Sequence, residues 1–221
     1  MPVYAFFDFD GTLISKDSFL IVLKAAFKKQ PWRVLFIILF LPILLPTGIF
    51  KLDKTLAKSC LLWSATVFRG KKGAIEFLKK TILDAGDKIW FSQAVAQFEQ
   101  LQKENVEVIV ISASGTMWIR ALLRSKFKKT RLIIGSRLGF CCGGVVLKSN
   151  NCYKEEKLRR IREILGDNFI WHSAWSDHIA DLPMLRMAPL RYIVCPKAQH
   201  LEIFKREFKD NFTLLNWTTY S

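Results

Sequence analysis

The sequence predicts an α/β protein with a Rossmann-like parallel sheet as its core and a helical cap inserted between the first two core strands. Short apolar runs recur along the chain, and most are followed by polar residues and then by a helical pattern. This alternation is typical of parallel strands joined by crossover helices. The first two runs are separated by a long stretch that shows helical periodicity only, which predicts the insert.

The core strands are predicted from runs that are nearly uncharged and rich in β-branched and aromatic residues. They cover residues 3–9, 106–111, 131–134, 169–175 and 192–194, with a hairpin over 139–147. Helices are predicted over 18–27, over three stretches between 56 and 101, and over 117–127, 154–165 and 183–188. Residues 1–14 and 105–221 are therefore predicted to form the core, and residues 15–104 the cap.

Charge and composition limit the classes of protein to consider. The chain has 221 residues, a net charge of +15 and 51% hydrophobic residues, which excludes an intrinsically disordered chain. The positive charge predicts an anionic partner, which is nucleic acid, an acidic membrane or a phosphorylated substrate. Five cysteines, an odd number, and an apolar start without a basic leader favour a reducing, cytosolic compartment over a secreted disulfide framework.

Segment 31–50 is the most apolar part of the predicted cap. A spanning helix needs about 20 apolar residues, and Pro42 and Pro46 interrupt this run, so a simple span is not expected. Eight basic and two acidic residues lie between Lys16 and Lys58. This composition is typical of a segment that contacts an anionic phospholipid membrane, either at its interface or as a re-entrant loop. A buried hairpin of two core helices is the alternative.

Polar side chains follow three of the predicted strands, at the sheet edge where ligands of parallel sheets collect. Asp8 and Asp10 follow the first strand, Ser112 the second, and Asp177 and Asp181 a later one. One carboxylate of the first pair can attack phosphorus while the other handles protons. Asp177 beside Asp8 is a sensible ligand set for Mg²⁺. Each feature alone has an ordinary alternative, because Asp-x-Asp pairs often form turns and serines after strands often cap helices.

Together with Lys157 on the helix at 154–165, these residues resemble the four motifs of the haloacid dehalogenase superfamily phosphatases, in order along the chain. The motifs that carry the resemblance are Asp8-Phe9-Asp10-Gly11-Thr12, Ser112, Lys157 and Ser176-Asp177 with Asp181-Leu182-Pro183. The helical insert resembles the cap of the phosphoserine-phosphatase-like branch, subfamily IB. Lys154 departs from that branch, which often has glycine before its Glu-Lys pair.

Within the branch, a basic turn and the apolar run after it are similar to the phosphatidylglycerophosphatase C group. Lys29-Gln30-Pro31 precedes the run, and Leu61-Leu62-Trp63 follows it. This resemblance implies hydrolysis of phosphatidylglycerol phosphate to phosphatidylglycerol at the cytoplasmic face of the inner membrane. A single membrane crossing would separate Asp8 from Asp177, so the apolar segment is expected to return or to stay peripheral.

The resemblance to the superfamily also implies roles for the site residues. Asp8 would be the nucleophile, and Asp10 would protonate the leaving group and later activate water. Mg²⁺ would be held by the Asp8 carboxylate, the Asp10 backbone carbonyl and Asp177, with Asp181 in support. The substrate phosphate would be bound by Gly11, Thr12, Ser112 and Lys157.

Three other interpretations remain open at this stage. The first is a phosphatase for a small soluble monoester such as phosphoserine, with the apolar segment buried. The second is a basic nucleic-acid-binding module built on clustered cations such as Lys126, Lys128, Lys129 and Arg131. No recognised nucleic-acid motif accompanies these cations, so nucleic acid is not the expected partner. The third is an inactive scaffold that uses the apolar segment alone.

Overall fold

The structure, a computed structural model, describes residues 1–42, 45, 54–127, 132–148 and 151–220. Its strands are β1 (Val3–Phe7), β2 (Glu107–Gly115), β3 (Leu132–Ser136), β4 (Leu138–Cys141), β5 (Gly144–Leu147), β6 (Ile170–Ser176), β7 (Leu190–Val194) and β8 (Thr213–Leu215). Six of them form one parallel sheet in the order β3-β2-β1-β6-β7-β8. The other two, β4 and β5, form an antiparallel hairpin. The predicted α/β fold is confirmed.

Helices occupy both the insert and the crossovers. They are α1 (Ser18–Lys29), α2 (Val34–Leu39), α3 (Lys54–Thr66), α4 (Gly70–Leu83), α5 (Ser92–Lys103), α6 (Thr116–Lys126), α7 (Glu155–Leu165), α8 (Leu182–Met187) and α9 (Ala198–Phe208). The first five lie between β1 and β2, where the sequence predicts the insert. Among the described residues, no helix has the length and hydropathy that crossing a bilayer requires.

Apolar side chains cover both faces of the sheet, as buried parallel strands require. Successive residues of β1 alternate between two clusters, with Phe7 in one and Phe6 in the other. Phe7 stacks on Trp175 of β6 at 4.8 Å between ring centroids. Helix α5 packs on the same face of the sheet as Phe7. The ring centroid of its Phe98 lies 6.0 Å from that of Phe7. The residue limits of the core and the cap remain a prediction. Helix α5 lies within the predicted cap range, 15–104, yet it contacts the sheet.

Several elements differ in extent from the predicted ones. Strand β2 continues to Gly115 rather than ending at residue 111, so it carries Ser112 and Ser114. Helix α9 and strand β8 were not predicted. Strand β8 is three residues long, and its residues are exposed or half-buried, so it lacks a periodic apolar signal. Arg131, the predicted start of β3, lies outside the described residues, as do Lys128 and Lys129.

A row of hydroxyl groups on α3 contacts the β4–β5 hairpin and the loop after it. Thr66 Oγ1 accepts a hydrogen bond from the Val145 amide at 2.8 Å, and Ser59 Oγ accepts one from Leu147 at 3.1 Å. Thr55 Oγ1 accepts one from the Asn151 amide at 3.2 Å. Helical spacing places these three hydroxyls on one side of α3. We call them the hydroxyl row.

Helix α2 lies within the predicted membrane-contacting segment and contains no buried residue. Leu35 and Leu39 are 65% and 66% exposed. The buried-hairpin alternative does not hold for α2. Residues 43, 44 and 46–50 of the segment lie outside the described part of the chain.

Candidate active site

The carboxyl ends of neighbouring strands bring several of the predicted site residues to one edge of the sheet. Strand β1 is central, between β2 and β6, and Asp8 directly follows it. Ser112 lies near the end of β2, and Asp177 directly follows β6. Because the three strands are parallel, their polar ends meet at the same edge.

A buried lysine joins two of these carboxylates. Lys157 Nζ lies 2.7 Å from Asp8 Oδ1 and 2.7 Å from Asp181 Oδ1, and Lys157 is 2% exposed. Ser176 Oγ donates a hydrogen bond to Asp181 Oδ2 at 2.7 Å, which holds that carboxylate in place. Burial alone would lower the pKa of Lys157, but Asp181 and Asp8 outweigh it and raise the pKa. Lys157 is therefore a permanent cation in contact with Asp8.

The turn before α7 explains how Lys157 is positioned. Lys154 has a φ of +54°, in the left-handed region that favours glycine. Its carbonyl accepts a hydrogen bond from the Lys157 amide at 3.0 Å, and α7 begins at the next residue, Glu155. The departure noted in the sequence, lysine in place of the glycine common at position 154, thus falls on a backbone conformation that suits glycine.

The Asp10 carboxylate is bound by a serine of β2 and by the first residue of α1. Ser114 Oγ donates to Asp10 Oδ2 at 2.5 Å, and the Ser18 amide at the start of α1 donates to Oδ1 at 2.7 Å. Burial raises the pKa of Asp10, and the nearby charge of Asp17 adds to that rise. A raised pKa favours the protonated form, which suits a proton donor.

Asp177 packs against the backbone of the loop after β1. Gly11 has a φ of +80°, and a Cβ at that position would lie 2.5 Å from Asp177 Cγ. Glycine is therefore required there for the close approach. Asp177 Oδ1 is buried and has no hydrogen-bond partner. Burial, followed by the charge of Asp181, raises the pKa of Asp177 to about 7.

The predicted phosphate-binding hydroxyls lie in buried positions. Ser112 Oγ accepts a hydrogen bond from the Ser114 amide at 3.0 Å. The residue in the cap position of α6 is Gly115, and the helix has no side-chain cap, so the alternative role of Ser112 as a helix cap does not hold. Thr12 is fully buried, and its Oγ1 has no hydrogen-bond partner.

The donor set fits a hard divalent cation such as Mg²⁺. Asp8, Asp177 and Asp181 place three carboxylates around the single charge of Lys157, and Asp177 Oδ1 lacks a partner. Carboxylate and carbonyl oxygens are the ligands that Mg²⁺ prefers. Within the described ranges, no group of three or more His, Cys, Asp or Glu side chains is arranged to hold a metal ion. The predicted set needs two carboxylate side chains, Asp8 and Asp177, and one backbone carbonyl, that of Asp10.

Sequence reasoning missed three residues that contact this site. Ser114 contacts Asp10, and Ser176, which belongs to the last motif, contacts Asp181; the sequence predicts neither contact. Lys58 of α3 was counted only as a flanking charge, and its Nζ lies 3.2 Å from the Ala113 carbonyl oxygen. Ser114 was missed because the predicted strand ends at residue 111 and the observed one continues to Gly115, whereas nothing local marks Lys58.

A groove of about 1330 Å³ lies elsewhere, between α4, α6, β3 and the β4–β5 hairpin. Its lining includes none of the predicted site residues. The candidate site is therefore the cluster at the sheet edge and not this groove.

Together, fold and site define a Rossmann-like α/β enzyme with carboxylates, hydroxyls and one buried lysine at the carboxyl edge of its sheet. Comparison with known families identifies the class more closely. The chain belongs to the haloacid dehalogenase-like hydrolase family, whose family model matches residues 5–186.

Individual relatives cover most of the chain. Protein CicA of Caulobacter vibrioides is 29% identical over 197 residues, which span 85% of this chain and 83% of CicA. A Bordetella pertussis Tohama I protein of unknown function matches with a TM-score of 0.75 and 16% identity, over 98% of this chain and 99% of its own. A phosphoserine phosphatase, solved as a phospho-aspartyl intermediate analogue, matches with a TM-score of 0.62 and 17% identity, over 98% and 94%. At these identities the two solved structures show a shared fold.

Proposed function

We propose that the protein is a Mg²⁺-dependent phosphatase with Asp8 as its nucleophile, and that it converts phosphatidylglycerol phosphate to phosphatidylglycerol at a membrane surface. The observation that carries the phosphatase assignment is the buried Lys157 between Asp8 and Asp181. Charge stabilisation around an in-line phosphoryl group is most of the catalytic task, and a permanent buried cation beside the nucleophile supplies it.

The proposed mechanism assigns one role to each carboxylate. Lys157 donates a hydrogen bond to Asp8 Oδ1, so the other carboxylate oxygen, Asp8 Oδ2, attacks phosphorus and forms an aspartyl-phosphate. Asp10, with its raised pKa, gives a proton to the leaving oxygen and then takes one from the water that hydrolyses this acyl phosphate. Ser112 and Lys157 hold the non-bridging phosphate oxygens. The Asp8 carboxylate, the Asp10 backbone carbonyl and Asp177 would hold Mg²⁺, which would supply charge neutralisation for the phosphate.

Support for a membrane substrate comes from α2. Its exposed apolar side chains belong to the insert, and a different helix of the insert, α3, contacts the end of β2 through Lys58. A lipid phosphatase needs its catalytic core in water and its insert at the headgroup layer, and such a helix suits that arrangement. We propose the cytoplasmic face of the inner membrane as the location, with the anionic phospholipid surface as partner and no nucleic acid.

The second candidate is a phosphatase for a small soluble monoester. It is favoured by the fold shared with the phosphoserine phosphatase. The two candidates share their chemistry and differ in the leaving group.

Phosphate release from a panel of monoesters tests both statements. Asp8→Asn should abolish Mg²⁺-dependent release while leaving the chain folded, because Asp181 still pairs with Lys157 in this variant. Asp84→Asn, at an exposed position after α4, is the matched control and should keep full activity. Turnover retained in Asp8→Asn would refute the nucleophile. Faster turnover of soluble phosphoserine than of phosphatidylglycerol phosphate in mixed micelles would favour the second candidate.

A further inference from the structure

Arg33 and Arg69 lie close together at the N-terminal end of α2, and both donate hydrogen bonds to the side-chain oxygen of Gln30, which is uncharged. Gln30 Oε1 accepts a hydrogen bond from Arg33 Nε at 2.5 Å and another from Arg69 Nη2 at 2.8 Å. Arg33 is 2% exposed, and its Nη1 donates to the Ser64 carbonyl oxygen at 3.2 Å. We call Arg33, Arg69 and Gln30 the arginine cluster.

The arginine cluster has no carboxylate to balance it among the described residues. Each recorded ion pair of those residues involves other side chains, and Arg69 Nε is buried without a hydrogen-bond partner. Burial, followed by the charge of Arg69, lowers the pKa of Arg33 to about 10. Burial also lowers the pKa of Arg69. Two like charges thus lie together in a partly desolvated place.

Such an arrangement is costly unless an anion completes it. Buried charges in proteins are normally paired, since a neutral amide oxygen satisfies donors without cancelling charge. A third cation lies near, because Lys29 Nζ is 6.0 Å from the centroid of the Phe77 ring and the Arg69 guanidinium is 3.9 Å from it. The cluster therefore has the charge and the spare donors of an anion-binding site.

We propose that Arg33 and Arg69 form a binding site for a phosphate group, and that the ligand is the headgroup phosphate of an anionic phospholipid. A planar guanidinium group binds phosphate through two parallel hydrogen bonds. A phosphate would also balance the charge of the two guanidinium groups, which the neutral Gln30 amide does not. Phosphate oxygens would then replace Gln30 Oε1 as the acceptor of the hydrogen bonds from Arg33 and Arg69.

The choice of a lipid comes from the neighbouring surface. Trp32 precedes Arg33 and is 46% exposed, and Val34 and Leu35 after it are 42% and 65% exposed. Tryptophan is enriched at membrane interfaces, where its ring lies at headgroup level. A phosphate held by the cluster would have apolar side chains directly beside it. This choice rests on the proposed action at a membrane, whereas the phosphate site itself rests on the cluster alone.

Binding measurements on the full chain test the proposal, with dioctanoyl phosphatidylglycerol, dioctanoyl phosphatidylcholine and inorganic phosphate as separate probes. The wild type should bind the phosphatidylglycerol one to one. Arg69→Gln should weaken that binding about tenfold or more, because it removes charge-assisted hydrogen bonds. Arg124→Gln, at an exposed position on α6, is the matched control and should bind as the wild type does.

Stability provides a second measurement that a purely structural role would not reproduce. Without ligand, Arg69→Gln should unfold at the same temperature as the wild type or higher, because it relieves repulsion between like charges. Phosphatidylglycerol should raise the unfolding temperature of the wild type more than that of the variant. A lower unfolding temperature for Arg69→Gln together with unchanged lipid affinity would overturn the site.

The remaining outcomes separate the two parts of the proposal from each other and from the proposed function. Equal losses in Arg69→Gln and Arg124→Gln would overturn a specific site. Inorganic phosphate bound as tightly as phosphatidylglycerol would overturn the lipid assignment. Release of phosphate from soluble p-nitrophenyl phosphate reports on Asp8 and should not change in Arg69→Gln. Failure of the enzyme proposal and failure of the arginine site would therefore appear in different assays.

Discussion

Replacing Lys157 with methionine is the strongest test of how the candidate site is held together. The ammonium group lies 2.7 Å from both Asp8 and Asp181. At that distance each attraction is worth about 6 kcal/mol for an effective dielectric constant of roughly 20, before desolvation is subtracted. Removing one partner of a buried ion pair typically costs about 3–5 kcal/mol, because the remaining charge stays buried without compensation. We therefore expect Lys157→Met to lower the free energy of unfolding by about 3–5 kcal/mol.

Urea unfolding at neutral pH in the presence of a chelator measures this loss without interference from divalent cations. The midpoint should fall while the slope against urea concentration stays the same. Adding Asp181→Asn to Lys157→Met removes one of the two stranded carboxylates and should recover part of the lost stability. The reasoning is refuted if Lys157→Met costs less than about 1 kcal/mol, or if Asp181→Asn makes the double variant less stable still.

Two further predictions concern the insert and α7. Ile38→Asp should weaken sedimentation of the protein with anionic vesicles, because Ile38 is an exposed apolar residue of α2, whereas Leu83→Asp at the end of α4 should not. Equal sedimentation of both variants would argue against contact through α2. Hydrogen bonds from Arg159 and Arg160 lower the pKa of Glu156 to about 2, so its charged form stabilises the fold above its unfolded pKa of about 4.5. The stability difference between the wild type and Glu156→Gln, measured by thermal unfolding, should be full near pH 6 and should disappear as pH falls toward 2; a constant difference would contradict it.

The core strands could be predicted because they are apolar runs, three of which are followed by polar residues. In strand β1, successive apolar residues alternate between two buried clusters. Helix α7 could be predicted for a different reason, because it is strongly amphipathic. Helix α9 had a usable signal in Leu201, Phe204 and Phe208, which recur at helical spacing, but it follows the last motif of the resemblance. Strand β8 had none, because its pairing with β7 is a tertiary effect.

The site was predictable as a set of residues but not as a network. Asp8 and Lys157 are 149 positions apart, and no local pattern joins them, so their association came from the order of motifs. The hydrogen bond from Ser114 to Asp10 depends on β2 running past residue 111. The arginine cluster was not predictable for the same reason, since Arg33 is one basic residue beside the apolar segment and Arg69 lies in the connection between α3 and α4.

The hydroxyl row of α3 has a consequence for how copies of this chain behave toward each other in solution. The outer edges of a two-stranded sheet normally carry amide groups without a hydrogen-bond acceptor. A strand of another molecule can pair with such an edge, which is a common start of aggregation. Here Thr66 and Ser59 already accept the hydrogen bonds of Val145 and Leu147. Replacing both hydroxyls with alanine would open β5 to intermolecular pairing, and precipitation on storage would be its first sign.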